Sequence, residues 1–302
     1  GDEFLVIAGN LSGKNDVDKI SQSILQHFSS PFCLGDNEQT VTPSIGLALY
    51  PDDGDDSSML LRNADLAMYA AKEDGRNTSH YFNESIQRKL REKLKIESEL
   101  RRALEQDEFS LAYQPIIDTN GSRIIAVEAL LRWQNKKLGM VPPDKFIEIA
   151  EQTGLIEPIG EWVIEQGCRQ LKEWHRLGYR DLKLSINVSP RQFRGERLTT
   201  AIRHNLDRHR LEPGCLIMEM TEGLLIHSPP EALLLLTELD RMGIQLALDD
   251  FGTGYSSLSY LKKYPFHSLK IDRSFIRDIV EDSDDRALVT AAINMGNGLG
   301  LT

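Results

Sequence analysis

Hard oxygen donors and one lysine stand at or near the ends of successive apolar segments in the second half of the chain. The side chains are Glu128, Asn187, Glu219, Asp249, Asp250 and Lys270. Oxygen-only ligands select Mg²⁺, Mn²⁺ or Ca²⁺ rather than zinc or copper, which prefer histidine and cysteine. One polar strand end is commonplace, so it is the convergence of successive ends that indicates a site for a hard cation.

Asp249 and Asp250 are adjacent in QLALDDFGTG, although neighbouring carboxylates repel and an unpaired buried carboxylate is costly. Successive strand residues point to opposite faces, so both can address one cleft only if the pleat breaks there. We expect the following FGTG to supply that break. The simplest reason for two inward carboxylates is a pair of cations a few Å apart, an arrangement that suits hydrolysis of a phosphodiester.

Lys270, in LKID, would lie beside these carboxylates. There it could orient or deprotonate an attacking water and stabilise transition-state charge, so Lys270, Asp249 and Asp250 are the candidate catalytic residues. The alternative is structural, with Lys270 paired to Asp272 or to another carboxylate at the strand end.

These side chains need a frame that brings strand ends together. From Phe109 onward, short apolar strands alternate with longer helices that end at glycine, and the strands read FSLAYQPII, RIIAVEALLRW, KLSINVS, CLIMEMTE, QLALDDFG and SLKID. Repeated βα units indicate an α/β fold with a mostly parallel sheet, either doubly wound or closed into a barrel. The barrel is favoured because βα barrels gather their active sites at the carboxyl ends of their strands. With about six of eight strands, the barrel would be incomplete.

The first 82 residues carry mixed α and β signals. Strands are predicted at GDEFLVIA and TPSIGLALYP, and helices at about 16–28 and 56–74, the second of which ends at a glycine. This pattern predicts a small α+β layer.

Residues 83–106 place leucines among alternating charges and predict an exposed connecting helix. The pattern lasts too few heptads for a dimerisation coil. The predicted domains are therefore 1–82, a helical linker at 83–106, and 107–302.

Composition excludes several classes of protein. A formal net charge of −11 argues against a basic face for a nucleic-acid polymer, although metal ions could mediate binding of a small anionic ligand. Cys33, Cys168 and Cys215 are isolated, which fits a reducing cytoplasm better than a disulfide framework or a zinc site. No run approaches the roughly 18 to 20 apolar residues that span a bilayer. Because Gly1 opens directly on a strand-like segment, we expect an excerpt whose parent could be tethered to a membrane upstream.

The second half of the chain resembles the EAL phosphodiesterase family from about residue 107 to residue 302. The resemblance is carried by EALLRW, NVSPRQF, EMTE, DDFGTGYSSLSYL and KIDRSF, in that order. It implies a modified TIM (β/α) barrel that hydrolyses cyclic di-GMP to the linear dinucleotide with two Mg²⁺ or Mn²⁺ ions.

The resemblance also implies residue roles. Glu128, Asn187, Glu219 and Asp249 match metal ligands, and Asp250 matches the residue that completes the second metal site. Lys270 matches the lysine that acts on the water, Gln114 and Arg132 match ligand contacts, and Glu222 matches the anchor of the DDFG loop. A homodimer through this domain is the implied oligomer.

The first 82 residues are similar to the carboxyl-terminal part of a GGDEF diguanylate cyclase domain, which has a nucleotidyl-cyclase-like fold. The nucleotide-site residues implied by this resemblance are Gly1, Asp2, Glu3, Lys72 and Arg76. GTP is therefore a possible ligand of the parent. Standing alone, Lys72 and Arg76 at a helix end would be surface charges favoured by the helix dipole.

Three functional readings remain open at the level of sequence. The first is a cyclic di-GMP phosphodiesterase in tandem with a GGDEF domain that is regulatory or itself catalytic. The second is a non-catalytic cyclic di-GMP receptor, against which the filled positions of the site count. The third makes cyclisation the dominant activity of the parent. Because the barrel would lack strands, we expect weak or no hydrolysis from the 302-residue chain, and no cyclase activity.

Overall fold

The computed structural model describes residues 3–35, 37–121, 123–193, 195–223, 229–252 and 263–302. The chain divides into two units, Gly1–Lys95 and Ile96–Thr302. Across the described ranges, no helix combines the length and the apolar character that a membrane crossing requires.

The first unit is a small mixed α and β assembly. Its elements are α1 (Lys14–His27), β1 (Phe32–Leu34), β2 (Asn37–Gln39), β3 (Ser44–Leu47), α2 (Ser57–Glu73) and β4 (Thr78–Tyr81). Strands β1 and β2 form an antiparallel hairpin, whereas β3 and β4 are parallel and α2 is the crossover between them. Gly46 permits the close packing of α2 on β3, because a Cβ there would stand 1.9 Å from the carbonyl oxygen of Ala64.

The helices predicted in this unit are confirmed, but one strand is not. Helix α2 begins where the side chain of Asp56 accepts a 2.8 Å hydrogen bond from the N–H of Met59, and it ends before Gly75, whose φ is +89°. The strand predicted at GDEFLVIA is wrong for the part that the structure describes: residues 3–8 are irregular and exposed. A strand forms only against a partner edge, and no described strand pairs with this segment.

The long helix α3 (Glu84–Ala103) is exposed only in part, contrary to the prediction. Leu94 is exposed, whereas Ile96, Leu100 and Ala103 are buried in the hydrophobic core of the second unit. The three buried positions lie on one helix face, so the end of α3 belongs to that core.

The second unit consists of one large sheet with helices. Its elements are β5 (Phe109–Ile117), β6 (Ile124–Asn135), β7 (Gly139–Val141), α4 (Pro143–Thr153), α5 (Ile156–Arg176), β8 (Lys183–Asn187), α6 (Arg197–His209), β9 (Leu216–Thr221), α7 (Pro229–Arg241), β10 (Gln245–Phe251), β11 (Ser268–Ile271), α8 (Arg273–Arg277) and α9 (Ser283–Leu299). All the predicted strands of this half form, together with the short β7, which was not predicted.

The sheet runs in the order β11-β10-β9-β8-β6-β5, with β7 beside β6. The pairs β6–β8, β8–β9, β9–β10 and β10–β11 are parallel, as predicted for the incomplete barrel, whereas β5 and β7 both pair antiparallel with β6. The short connection between β5 and β6 cannot make the long crossover that parallel strands need. Along the outer edge of β11, the backbone of Thr302 accepts a hydrogen bond from Leu269 and donates one to His267, both 3.0 Å long.

The two faces of the parallel strands are chemically different. On β8, Leu184 faces α5, where a Cβ on Gly167 would lie 2.8 Å from the Leu184 side chain. Side chains alternate along a strand, so Ser185 and Asn187 point to the opposite face. Met218, Met220, Leu246 and Leu248 continue the apolar, buried pattern on β9 and β10. Polar residues thus collect on the face turned away from α5.

Candidate functional site

Lys270 stands at the centre of the polar face. Its Nζ donates to Glu219 Oε2 at 2.6 Å, to Glu128 Oε2 at 3.2 Å and to Asp249 Oδ2 at 3.3 Å. Lys270 comes from β11, whereas the three carboxylates come from β9, β6 and β10. Four strands therefore meet at one ammonium group. Of the structural alternative, the pairing of Lys270 with other strand-end carboxylates is confirmed, whereas its described ion pairs do not include Asp272.

Strand register produces the convergence. Asn187 on β8 is level with Glu219 on β9, and Glu219 is level with Ala247 on β10. Asp249 lies two residues further along β10 on the same face, next to the strand that carries Lys270. The site therefore lies at the carboxyl ends of adjacent parallel strands, where βα barrels place their active sites.

Glu219 is the most deeply buried member of the cluster, with a side chain that is 1% exposed. Burial raises the pKa of this carboxyl, while the Lys270 charge and the hydrogen bonds from Lys270 and Ser185 oppose the rise. The hydroxyl of Ser185 donates to Glu219 Oε1 at 2.5 Å. Both carboxylate oxygens therefore have a donor, as a buried charged group requires.

Asn187 is tied to the cluster through Glu128. Its Nδ2 donates to Glu128 Oε1 at 2.8 Å, which leaves the amide oxygen as an acceptor. The turn after Asn187 is held by Gln192, whose Oε1 accepts a 3.0 Å hydrogen bond from the N–H of Ser189. Gly160 on α5 makes room for Gln192, because a Cβ there would lie 2.1 Å from Gln192 Nε2.

Asp250 has a left-handed backbone, with φ of +54°, which is uncommon for a residue other than glycine. The register between β10 and β11 also shifts between Leu248 and Phe251. The pleat therefore breaks as predicted, and among the described residues the break begins at Asp250, one residue before FGTG. Residues 253–262, which follow that motif's first glycine, lie outside the described residues.

Asp250 is hydrogen-bonded to Asp272 and also feels the charge of Lys270. Burial, followed by the charges of Asp249 and Asp272, raises the pKa of Asp250. Hydrogen bonds from the side chain and backbone of Ser274 lower the pKa of Asp272, which caps α8. The pKa values of these two neighbouring carboxyl groups are therefore displaced in opposite directions.

Lys270 carries a firmly held proton. Burial alone lowers the pKa of Lys270, but the charges of Glu219, Asp249 and Glu128 and the hydrogen bond to Glu219 raise it above its usual value. In this arrangement the side chain is an ammonium at neutral pH. As an ammonium it can orient a water molecule and offset negative charge.

The ligand types present suit Mg²⁺ or Mn²⁺. Three carboxylates share one ammonium, which leaves negative charge uncompensated, and the Asn187 amide adds a neutral oxygen donor. As the described side chains stand, no three Asp, Glu, His or Cys residues are arranged to hold a metal ion, since the carboxylates converge on Lys270. The chemistry of the donor set therefore fits a hard cation, with Lys270 in contact with the groups that would bind it.

Comparison with known proteins follows the same division of the chain. The EAL domain family model matches residues 97–302, more than half of the chain. The chain belongs to the EAL domain family. The model described as diguanylate cyclase, GGDEF domain, matches residues 1–78, so the EAL domain follows part of a GGDEF domain.

The curated relatives of this GGDEF–EAL chain include phosphodiesterases and bifunctional proteins. The bifunctional diguanylate cyclase/cyclic di-GMP phosphodiesterase MucR of Pseudomonas aeruginosa is 41% identical over 301 residues, covering 100% of this chain and 44% of MucR. The cyclic di-GMP phosphodiesterase PdeR of Escherichia coli is 38% identical over 301 residues, covering 100% of this chain and 45% of PdeR. The chain thus spans less than half the length of either relative.

Solved EAL structures share the fold. The PaMucR phosphodiesterase in complex with c-di-GMP superposes with a TM-score of 0.66 at 43% identity, covering 68% of this chain and 84% of that one. The FimX EAL domain from Pseudomonas aeruginosa bound to c-di-GMP gives a TM-score of 0.62 at 27% identity, covering 68% and 82%.

Three further predicted site residues of the EAL unit, Gln114, Arg132 and Glu222, are not among the side chains that contact Lys270 in the described structure. Gln114 is exposed on β5, level with Glu128 in the hairpin. Arg132 is half-buried on β6, two alternations beyond Glu128 on the same face, and donates to the carbonyl of Leu131 at 2.9 Å. Glu222 is buried, and its Oε2 has no partner among the described residues. The loop it was predicted to anchor lies outside them.

The predicted nucleotide residues of the first unit are not brought together by described contacts. Glu3, Lys72 and Arg76 are exposed, and none of them makes an ion pair within the described part of the chain. Gly1 and Asp2 lie outside that part. Lys72 lies in the last turn of α2, where the helix dipole favours a positive charge, whereas Arg76 follows Gly75 and lies outside the helix.

Sequence reasoning missed Ser185. Its signal was present in KLSIN, where a serine two residues before Asn187 shares that residue's face in an otherwise apolar strand.

Proposed function

We propose that the EAL unit of this chain hydrolyses cyclic di-GMP to the linear dinucleotide pGpG in an Mg²⁺- or Mn²⁺-dependent reaction. The observation that carries the proposal is the meeting of Glu128, Glu219 and Asp249 at the ammonium of Lys270, with Asn187 bonded to Glu128. Consecutive strand ends deliver this oxygen-rich cluster to one place, as a site for a phosphodiester and hard cations requires.

The names of the relatives support cyclic di-GMP as the substrate. MucR and PdeR both carry cyclic di-GMP phosphodiesterase in their descriptions, and the PaMucR and FimX structures contain c-di-GMP. The 43% identity to the PaMucR phosphodiesterase, over 68% of this chain, favours the catalytic reading over a receptor.

The ligand set proposed for the cations consists of side chains already gathered at the site. Glu128, Asn187, Glu219 and Asp249 would hold the ions, and Asp250 would complete a second position. When bound, such ions offset charge on the phosphoryl oxygens and make a water molecule more acidic.

The chain's own cation complements those ions. The ammonium of Lys270 can donate to the water or to a phosphoryl oxygen, since its raised pKa keeps it protonated. Arg132, on the same face of β6 as Glu128, is proposed to contact the phosphates, and Gln114 the nucleotide. Both remain proposals drawn from the family.

The test is a product assay with cyclic di-GMP and Mn²⁺, separated by chromatography, on this chain and on a longer natural chain that contains it. Asp249→Asn keeps the shape of the side chain but removes a charge that contacts Lys270 at 3.3 Å. We expect the variant to lose activity by at least about a hundredfold. Asp240→Asn is the matched control: Asp240 lies on α7 and pairs with His267 instead.

The outcomes separate the three readings. Formation of pGpG that Asp249→Asn abolishes and Asp240→Asn preserves supports the proposal. Tight binding of cyclic di-GMP with no pGpG from the longer chain would favour a non-catalytic receptor. Conversion of GTP to cyclic di-GMP in excess of hydrolysis would favour dominant cyclase activity.

GTP binding and homodimer formation are two further predictions, and both concern the whole protein. GTP binding would involve Glu3, Lys72 and Arg76 of the GGDEF unit together with residues that the structure does not describe. A homodimer through the EAL unit is checked by light scattering, which would give twice the chain's mass.

A further inference from the structure

The Ser185 hydroxyl is buried beneath the candidate site. The residue is 0% exposed, and its Oγ donates to Glu219 Oε1 at 2.5 Å. Lys270 donates to the other oxygen, Oε2, at 2.6 Å. The Glu219 carboxylate is therefore held by one donor on each oxygen, from strands β8 and β11.

Register explains how the serine reaches this position. Ser185 is level with Glu128 on β6 and with Ile217 on β9, whereas Glu219 is level with Asn187. Ser185 thus approaches the Glu219 carboxylate from the amino-terminal side of the strands. The carboxylate cannot rotate about its terminal bond without breaking the bond to Ser185 or the bond to Lys270.

A buried serine often does no more than satisfy its own hydroxyl. Ser21 in the first unit is such a case: it is 2% exposed and donates to the backbone carbonyl of Asp18 at 3.0 Å. The acceptor of Ser185 is instead an ionisable carboxylate, which makes the bond charge-assisted and directional. It also has the short length expected of an O–H donor to a carboxylate.

We propose that Ser185 is a positioning residue that sets the orientation of Glu219, so that Oε2 faces the space shared with Lys270, Glu128 and Asp249. This inference rests on the proposed function, in which that oxygen is offered to a cation. Side chains that hydrogen-bond a metal ligand typically change metal affinity by about 10- to 100-fold when they are removed.

The test begins with Mn²⁺ alone, titrated into the chain and followed by the electron paramagnetic resonance signal of free Mn²⁺. Ser185→Ala should weaken Mn²⁺ binding by roughly tenfold, the lower end of that range. Ser185→Thr retains a hydroxyl and should recover most of the affinity. Ser21→Ala is the matched control, since it removes another buried serine hydroxyl and should leave Mn²⁺ affinity unchanged.

A kinetic comparison on a longer natural chain that hydrolyses cyclic di-GMP adds a second readout. Ser185 is buried and bonded to Glu219, so its loss should lower kcat at saturating Mn²⁺ and leave KM within about twofold. An effect confined to KM would overturn the assignment. Should Ser185→Ala fail to fold, Ser185→Cys, with a weaker donor, should weaken Mn²⁺ binding by about threefold; unchanged affinity would again overturn it.

Failure of this inference differs from failure of the proposed function. If the unmodified chain binds Mn²⁺ and Ser185→Ala binds it equally well while unfolding at lower urea, Ser185 is structural only, and the proposed function stands. If the unmodified chains neither bind Mn²⁺ nor release pGpG, the proposed function is wrong, and the role of Ser185 is overturned with it.

Discussion

Replacing Lys270 by methionine should destabilise the metal-free protein sharply. Methionine keeps the length and apolar stem of the lysine but removes the ammonium. Glu219, Glu128 and Asp249, which lie 2.6, 3.2 and 3.3 Å from that nitrogen, would then face one another without a positive charge. Glu219 is too deeply buried to be rehydrated in place.

The magnitude follows from burial. Breaking a buried ion pair by removing one partner costs about 3–5 kcal/mol. The Lys270 side chain is 31% exposed, so solvent screening places the expected loss near the lower end, at about 3 kcal/mol. This loss is large against a typical domain stability of about 5–15 kcal/mol.

The loss should depend on pH through Glu219. Burial raises the pKa of Glu219 above the ordinary 4.5, so the folded state binds this proton more tightly than the unfolded state. Above this raised pKa, the charged Glu219 carboxylate lowers the free energy of unfolding. The effect disappears as the pH falls below the pKa that Glu219 has in the unfolded state. Lys270 has a raised pKa and stays charged throughout that window. The variant should thus be least stable above the raised pKa of Glu219 and should recover as the pH falls below the ordinary 4.5.

Urea unfolding in EDTA, followed by tryptophan fluorescence, measures the effect. Trp133, Trp162 and Trp174 all lie in the second unit, so the signal reports that unit. Lys183→Met is the matched control: Lys183 is on the same sheet but donates to the neutral Gln245 side chain at 3.0 Å, so it should cost less than about 1 kcal/mol.

A second substitution isolates the electrostatic cause. Glu219→Gln, added to Lys270→Met, removes the most deeply buried charge while it keeps an acceptor for Ser185 and should restore much of the lost stability. The reasoning would be refuted if Lys270→Met matched the Lys183→Met control in EDTA, or if Glu219→Gln added its own full cost in the double variant.

Three smaller effects should follow from other contacts. Burial alone raises the pKa of Glu108, but hydrogen bonds from two side chains and a backbone N–H lower it overall. The Glu108 carboxylate therefore stabilises the folded state above pH 4.5, and this contribution is lost as the pH falls. In urea titrations, Glu108→Gln should make the free energy of unfolding depend less on pH in the acidic range. Gly46→Ala should destabilise the first unit by about 2 kcal/mol, since its Cβ meets the Ala64 carbonyl, and faster hydrogen exchange in β3 and α2 reports this. In the same assay, Asp56→Ala should cost about 1 kcal/mol through loss of the α2 cap, while the exposed Asp55→Ala should cost little.

Much of the EAL site could be predicted from strand order alone. Parallel strands end at one edge, so Glu219, Asp249 and Lys270, each at the end of an apolar segment, had to lie near one another once the βα alternation was recognised. The antiparallel β5–β6 hairpin could have been predicted as well, from the few residues between the two strands.

The local sequence pattern did not predict features that depend on contacts with another element. The apolar residues 4–7 have strand-like composition, yet they form no strand, because composition does not specify a neighbouring edge to pair with. Leucine spacing likewise predicted a helix for α3 but not that Ile96, Leu100 and Ala103 would be buried, since burial depends on what lies opposite.

The amino-acid sequence by itself determined the family, the order of the strands and the oxygen-rich character of the site. Only the tertiary structure decided that Lys270 bonds three carboxylates rather than Asp272, that the backbone turns at Asp250, and that Ser185 holds Glu219. The physical reason is that residue types and alternation are local properties, whereas a hydrogen-bond partner is chosen by the register between strands and by the depth at which each side chain is buried.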